Sequence, residues 1–97
     1  MKLVFEWDAR KARINESRHK VSFEEAKTLF TDPFLVTFPD EFHSDAEDRS
    51  ISIGCSARGR ILLVVHTERG AENDVVIRII SCRKATPSER RVYEDKD

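Results

Sequence analysis

Five consecutive apolar residues, Ile61 to Val65, restrict the folds open to this chain more than any other feature. A short apolar run rich in β-branched side chains is typical of a buried strand. Because successive side chains point to opposite faces of a sheet, this strand presents apolar groups on both faces. We therefore expect a central strand, with helices covering one face and another layer covering the other.

The flanking segments predict the other elements and their order. The elements expected along the chain are strands at 3–7, 34–38, 49–55, 60–67 and 75–82 and helices at 9–19, 23–32 and 87–95. Asp8, Ser22 and Thr86 each precede a predicted helix, where a side-chain oxygen accepts from its first free amides. Residues 68–74 are predicted to form a linker. The order β-α-α-β-β-β-β-α indicates an α+β fold, with two helices packed on a mainly antiparallel sheet plus a short carboxy-terminal helix.

Length and charge narrow the functional classes. A chain of 97 residues usually builds one core, so we predict a single domain over residues 1–97. With 17 basic and 18 acidic residues the net charge is -1, which excludes a protein that binds polyanions through its total charge. Residues 21–48 are acidic, however, and residues 58–91 are basic. Any site for a polyanion therefore depends on this local segregation of charge.

Several other classes are excluded by motifs that do not occur. No apolar run approaches the ~20 residues that span a bilayer, and the first residues turn acidic, unlike a signal peptide. We therefore expect a soluble cytoplasmic protein without membrane contact, and we expect Cys55 and Cys82 to be reduced core thiols. A glycine-rich phosphate loop, a His-Glu-x-x-His motif and a nucleophile elbow are all absent from the sequence, which argues against nucleotide hydrolases, zinc proteases and α/β-hydrolases. No cofactor is expected.

Arg78 interrupts the otherwise apolar last strand, and Arg83 follows close behind. His66 and Glu68 stand at the end of a strand expected to lie alongside, so the four side chains are predicted to converge on one sheet face. The planar guanidinium of arginine suits phosphate, and a nearby histidine or glutamate can move a proton. A solvated sheet face is the alternative for Arg78, and structural hydrogen bonding is the alternative for His66.

Three further polar residues each allow a structural and a functional interpretation. His19 closes the first helix, where capping is favoured over catalysis. His43 lies in an acidic loop, and a polar loop is favoured over a metal site because the ligand spacing is not closed. Tyr93 either anchors the last helix to the sheet, which is favoured, or reaches the site with its hydroxyl.

Blocks of sequence from Phe5 to Glu94 occur in the order of a known family. The blocks include Phe5-Glu6-Trp7-Asp8, Arg18-His19, residues 21–26, His66-Thr67-Glu68-Arg69, residues 77–81 and residues 83–86. In these blocks the chain resembles the BrnT family of bacterial toxins. It departs from the family pattern at Arg18, where lysine is usual, and at Lys20 and Cys82.

The resemblance implies a RelE-like fold and a ribonuclease that arrests translation. It also implies a small antitoxin, BrnA, which neutralises the toxin and supplies the contact with operator DNA. Within the matching blocks, chemistry suggests His66 or Glu68 as the base, Arg78 and Arg83 as phosphate clamps, and Tyr93 as a further donor, without a metal. One alternative is a non-catalytic module that docks nucleic acid or an acidic protein through its basic half. Another is a hydrolase with a metal in the acidic loop.

Overall fold

The structure, a computed structural model that describes residues 1–41 and 48–95, contains a five-stranded sheet with helices on both faces. In chain order the elements are β1 (Leu3–Glu6), α1 (Ala9–His19), α2 (Phe23–Lys27), a 3₁₀ turn (Thr28–Thr31), β2 (Val36–Pro39), β3 (Arg49–Cys55), β4 (Ile61–Ala71), β5 (Asp74–Lys84) and α3 (Pro87–Glu94). The predicted order of strands and helices is confirmed. None of the helices described is long and apolar enough to cross a membrane.

The strands lie in the order β1-β5-β4-β3-β2. β1 runs parallel to β5, and the other neighbouring pairs are antiparallel. β4 is therefore the middle strand, as its apolar run predicts. The parallel pair places the first and last strands of the chain side by side. β1 extends along β5 only as far as Arg78.

The two faces of the sheet carry different layers. On the first, which we call the helix face, Leu62 and Val64 of β4 pack with residues of α1, α2 and the 3₁₀ turn. On the second, which we call the α3 face, Leu63 packs with Ile53 and with Tyr93 of α3. Since α3 is short, it covers only part of that face, so the remainder is left accessible.

The predicted linker at 68–74 is wrong, because β4 and β5 continue through it as a long hairpin. Their pairing runs on to Ala71 opposite Asp74, with a two-residue turn in which Glu72 has a φ of 58°. Charged residues are tolerated in these strands because this end of the hairpin extends beyond the core, where their side chains are exposed. The pairing also shifts between Val65 and His66, which leaves Ile80 as a bulge in β5.

The helix starts follow the predicted capping residues, with one difference. Asp8 accepts from the Lys11 amide at 3.0 Å, and the capping box of α3 is complete. Ser22 accepts from the Glu25 amide, but the Glu25 carboxylate binds Ser56 and Arg60 in place of the helix start. The predicted second helix is also shorter than expected, since it tightens into the 3₁₀ turn after Lys27.

Candidate active site

Arg78 lies on the α3 face and shares a carboxylate with Arg69. Arg78 Nη1 is 3.2 Å from Glu6 Oε2, and Arg69 Nη1 is 3.0 Å from the same oxygen. The hydrogen bonds from Arg69 and Arg78 lower the pKa of Glu6 below its usual range, so the carboxylate is ionised at neutral pH. The two arginines therefore carry one uncompensated positive charge between them. The Arg78 side chain is 41% exposed, which leaves part of its guanidinium open to a ligand.

Arg83, also on the α3 face, forms a two-pronged ion pair with Glu89 of α3. The two nitrogen–oxygen distances are 2.8 and 2.9 Å. This pairing lowers the pKa of Glu89 to about 2, and Glu89 also accepts from the Thr86 amide at the start of α3. Arg83 is thereby held in one orientation, while 39% of its side chain stays exposed. A guanidinium fixed and exposed in this way is suited to phosphate.

His66 is fully buried on the helix face. Its Nε2 is 2.7 Å from the hydroxyl of Ser52, which is 2.8 Å from the hydroxyl of Thr37, and its ring meets Phe30 edge to face. Burial lowers the pKa of His66 to about 4, so the imidazole is neutral at pH 7. These contacts tie β2, β3 and β4 together and match the structural interpretation of this histidine.

The expected convergence of His66 and Glu68 with the two arginines on one sheet face is wrong. His66 and Glu68 follow Leu62 and Val64 in the alternation of β4 and so belong to the helix face. The register pairs Leu63 with Arg83 and Thr67 with Arg78, which places both arginines on the α3 face. Glu68 Oε1 lies 3.9 Å from His66 Nδ1 and its side chain is 48% exposed. The sheet therefore separates His66 and Glu68 from the two arginines.

Of the two interpretations of Tyr93, the structure agrees with the one in which this residue anchors α3 to the sheet. Its hydroxyl donates to Asp32 Oδ2 at 2.6 Å, and the same oxygen accepts from the Cys55 amide at 2.8 Å. This bond, together with burial, raises the pKa of Tyr93 to about 12. The buried ring and its hydroxyl thus fasten α3 to the sheet and to the turn that follows α2.

A cavity of about 410 Å³ opens on the part of the α3 face that α3 leaves uncovered. Its floor is apolar and consists of Ile51, Ile53, Leu63 and Val65. Polar side chains stand around this floor, among them Arg83 with Glu89, Ser81 and His19. Pockets with an apolar floor and a few converging polar groups are the usual form of a binding or active site.

A second cavity, of about 200 Å³, lies between α1 and β5. It is lined by Lys11, Asn15 and Arg18 from the helix and by Ile80 from the strand. His19 and Ser81 line both cavities, so the two are neighbours that meet at these residues. The strand that carries Arg78 and Arg83 therefore borders a site to which α1 also contributes.

Sequence reasoning assigned His19 to the end of its helix and did not place it in a site. The cap of α1 is in fact Lys20, which has a φ of 59° and donates its amide to the Glu16 carbonyl. A signal for the site was present, because Lys11, Asn15 and Arg18 recur at four- and three-residue spacing and so share one side of the helix. A polar stripe on a helix that packs beside a sheet indicates a function other than core formation.

Within residues 1–41 and 48–95, no group of three or more histidine, cysteine, aspartate or glutamate side chains is arranged to hold a metal ion. His43 and its acidic neighbours at 42–47, the suggested metal loop, lie outside the described residues. The arrangement that the structure does describe provides arginines for an anion and a histidine for proton transfer.

Comparison with known proteins identifies the family. The sequence model of the family described as "Ribonuclease toxin, BrnT, of type II toxin-antitoxin system" matches residues 7–89. Among solved structures, the crystal structure of the Brucella abortus ribonuclease toxin BrnT matches with a TM-score of 0.62 and 25% identity, over 89% of this chain and 97% of that chain. No curated protein matches the sequence. Since the family match spans well over half of the chain, and the fold agrees with it, this chain belongs to the BrnT family of ribonuclease toxins of type II toxin–antitoxin systems.

Proposed function

We propose that this protein is an endoribonuclease that cuts RNA by metal-independent acid–base chemistry and thereby arrests translation. Its activity is held in check by a small BrnA-like antitoxin, through which the complex reaches operator DNA. Membership of the ribonuclease toxin family supports the reaction class. The observation that carries the proposal is the guanidinium of Arg83, fixed by Glu89 and exposed at the wall of the larger cavity, with His19 at the same cavity.

In the proposed reaction the 2′-hydroxyl of the RNA attacks the adjacent phosphorus, and the bond to the 5′-oxygen of the next nucleotide breaks. A base removes the proton of the 2′-hydroxyl, and an acid gives a proton to the leaving 5′-oxygen. The products are a 2′,3′-cyclic phosphate and a 5′-hydroxyl. Negative charge grows on the phosphate oxygens in the transition state, and Arg83 stabilises that charge. Arg78 lies further along β5 and lines neither cavity, so its part is to bind a more distant phosphate of the same strand.

We assign the proton transfer to His19 in place of His66. Histidine is the side chain best suited to accept and donate a proton near neutral pH. His19 is exposed and lines the cavity beside Arg83, whereas His66 is buried on the other side of the sheet. Glu68 also stands on that other side, and the Tyr93 hydroxyl is bound to Asp32. The proposed catalytic groups are therefore His19 and Arg83, with Arg78 as a further phosphate-binding group along β5.

The protein is expected to cut RNA in the presence of excess chelator. Arginine side chains, and not a metal ion, supply the positive charge in the proposed transition state. The measurement incubates pure protein with total RNA in chelator and in added magnesium, and analyses the products by gel and by their terminal groups. Equal cutting in both, with cyclic phosphate ends, is the expected result. RNA that stays intact in chelator and is cut when metal is restored would contradict the mechanism.

The protein is also expected to bind a small antitoxin on the α3 face. Phe38 and Val92 are 37% and 49% exposed beside the larger cavity, next to the positive charge of Arg83. Such a surface suits an acidic, partly disordered segment that folds on contact and covers the arginines. Co-expression with the adjacent reading frame, followed by pull-down and a growth assay, tests this. Absence of both co-purification and growth rescue would contradict the proposed antitoxin partner.

A further inference from the structure

The arginines of the α3 face are held in ion pairs, whereas the cations of α1 make none among the residues that the structure describes. Arg69 and Arg78 share the Glu6 carboxylate, and Arg83 pairs with Glu89. Within residues 1–41 and 48–95, neither Lys11 nor Arg18 lies within ion-pair distance of a carboxylate. Both side chains are exposed at the smaller cavity. Two cations that make no ion pair among the described residues therefore stand at the cleft between α1 and β5, beside the proposed catalytic groups.

Asn15 fixes the geometry of this cleft. β1 pairs with β5 only as far as Arg78, so the next part of β5 has no strand on that side. The Asn15 side chain takes the place of a strand at Cys82, accepting from its amide at 3.1 Å and donating to its carbonyl at 2.9 Å. Since Asn15 stands between Lys11 and Arg18 on the same side of the helix, this contact holds both cations beside the strand.

We propose that Lys11 and Arg18 form a phosphate-binding subsite for the RNA strand, next to the phosphate that is cut. The inference rests on the proposed ribonuclease function and extends it. An RNA backbone that enters the cleft at Lys11 and Arg18 continues past Ser81 and His19, which line both cavities, to Arg83. One phosphate of the strand thereby contacts Lys11 and Arg18, and a following phosphate contacts the catalytic Arg83.

The form of the cleft favours RNA over a protein carboxylate as its occupant. Its volume of about 200 Å³ accommodates one phosphate with part of its sugar, and Ile14 and Ile80 provide apolar walls for that sugar. The larger cavity that adjoins it has room for the following nucleotide. A run of cations along an open groove, with apolar surface between them, is the general pattern of single-strand binding sites.

The test measures binding of a 2′-O-methyl RNA oligonucleotide, which cannot be cut because its nucleophile is blocked. Binding of a polyanion weakens with salt, and each lost phosphate contact reduces the slope of log K against log salt by about 0.7 for single strands. The variant Lys11→Ala/Arg18→Ala is expected to weaken binding and to reduce the slope by about 1.4 if each cation makes one contact. Arg18→Lys, which keeps the charge, is expected to retain the wild-type slope.

The matched control is Arg10→Ala/Arg13→Ala, which removes the same charge from exposed positions of the same helix that line neither cavity. A similar loss of slope in this control would overturn the subsite, because general attraction by α1 would then explain the binding. An unchanged slope in Lys11→Ala/Arg18→Ala, or no binding by the wild-type protein, would overturn it as well. Circular dichroism confirms that the variants are folded.

Cleavage of unmodified RNA by the wild-type protein is measured in parallel, so that the two proposals fail separately. A chain that binds through Lys11 and Arg18 but does not cut RNA would contradict the ribonuclease proposal and support the phosphate subsite. A chain that cuts RNA with no change of slope in the double variant would contradict the subsite alone.

Discussion

Replacing Arg83 with alanine is expected to lower the rate of RNA cleavage by about 10²–10³-fold, because loss of one transition-state donor typically has this effect. The protein is expected to stay folded. The ion pair that Arg83 makes with Glu89 is partly exposed, so its loss costs on the order of 1 kcal/mol of the free energy of unfolding. Tyr93 still fastens α3 to the sheet through Asp32. Single-turnover cleavage of a defined RNA measures the rate.

Two further variants separate the chemistry of Arg83 from its charge and from its part in α3. Arg83→Lys keeps the positive charge but loses the paired donors, so most of the activity should be lost. Arg91→Ala removes an exposed arginine of α3 that does not line either cavity, and it should cut at the wild-type rate. If Arg83→Ala cuts as fast as the wild-type protein at equal folded concentration, Arg83 has no catalytic role and only helps to hold α3 through its ion pair with Glu89.

The same substitution at Arg78 tests the second proposed clamp. Arg78→Ala leaves Glu6 paired with Arg69, so the variant does not leave an isolated carboxylate on the sheet face. Because Arg78 lines neither cavity, we expect a smaller loss of cleavage than for Arg83, with little change in stability. Full activity of Arg78→Ala would limit the catalytic site to the end of β5 that carries Arg83.

The elements of the fold could be predicted because local rules determine them. An apolar run on both faces makes β4 central, and Asp8 and Thr86 mark helix starts whatever the rest of the chain does. The hairpin that continues through residues 68–74 could not be read in the same way. Its outer part is charged and exposed, so its sequence lacks the apolar alternation of a half-buried strand, and pairing to the neighbouring strand determines its structure.

The candidate site was predicted in part, because it depends on which face of the sheet each side chain occupies. A shift of one residue in register moves every side chain to the opposite face, and the bulge at Ile80 makes such a shift within β5. The arginines could be selected from their chemistry, but their separation from His66 follows from that register. His19 lies beside Arg83 only because α1 packs along the end of β5, a tertiary contact that spacing along the helix does not reveal.

The stability of the protein is expected to fall as the pH is lowered from 7 to 5, owing to His66. The pKa of this histidine is lowered to about 4 in the folded protein, against 6.5 for the ordinary value that the unfolded chain approaches. Between these values the unfolded chain binds a proton that the folded protein excludes. The free energy of unfolding therefore keeps its full value above about pH 6.5 and decreases as the pH falls toward 4. The free energy of unfolding should decrease by about 2 kcal/mol between pH 7 and pH 5.

Urea denaturation at pH 5, 6 and 7 measures this decrease, and His66→Gln is the matched variant. Glutamine can keep the hydrogen bond to Ser52 but does not titrate, so most of the decrease should disappear in the variant. The paired carboxylates of Glu25 and Glu89 have lowered pKa values and lose their stabilising effect only at lower pH. They therefore contribute little to the change in the free energy of unfolding between pH 5 and pH 7. An equal decrease in the variant would show that His66 is not the responsible group.

The same variant decides between the two interpretations of His66. A histidine that only ties β2, β3 and β4 together can be exchanged for glutamine with a cost in stability and little change in the cleavage rate of the folded protein. A histidine that moves a proton in the reaction cannot, because glutamine has no proton to accept or release near pH 7. A loss of cleavage of about 10²-fold or more in folded His66→Gln would return this residue to the catalytic site, in an open conformation that brings its imidazole to the RNA.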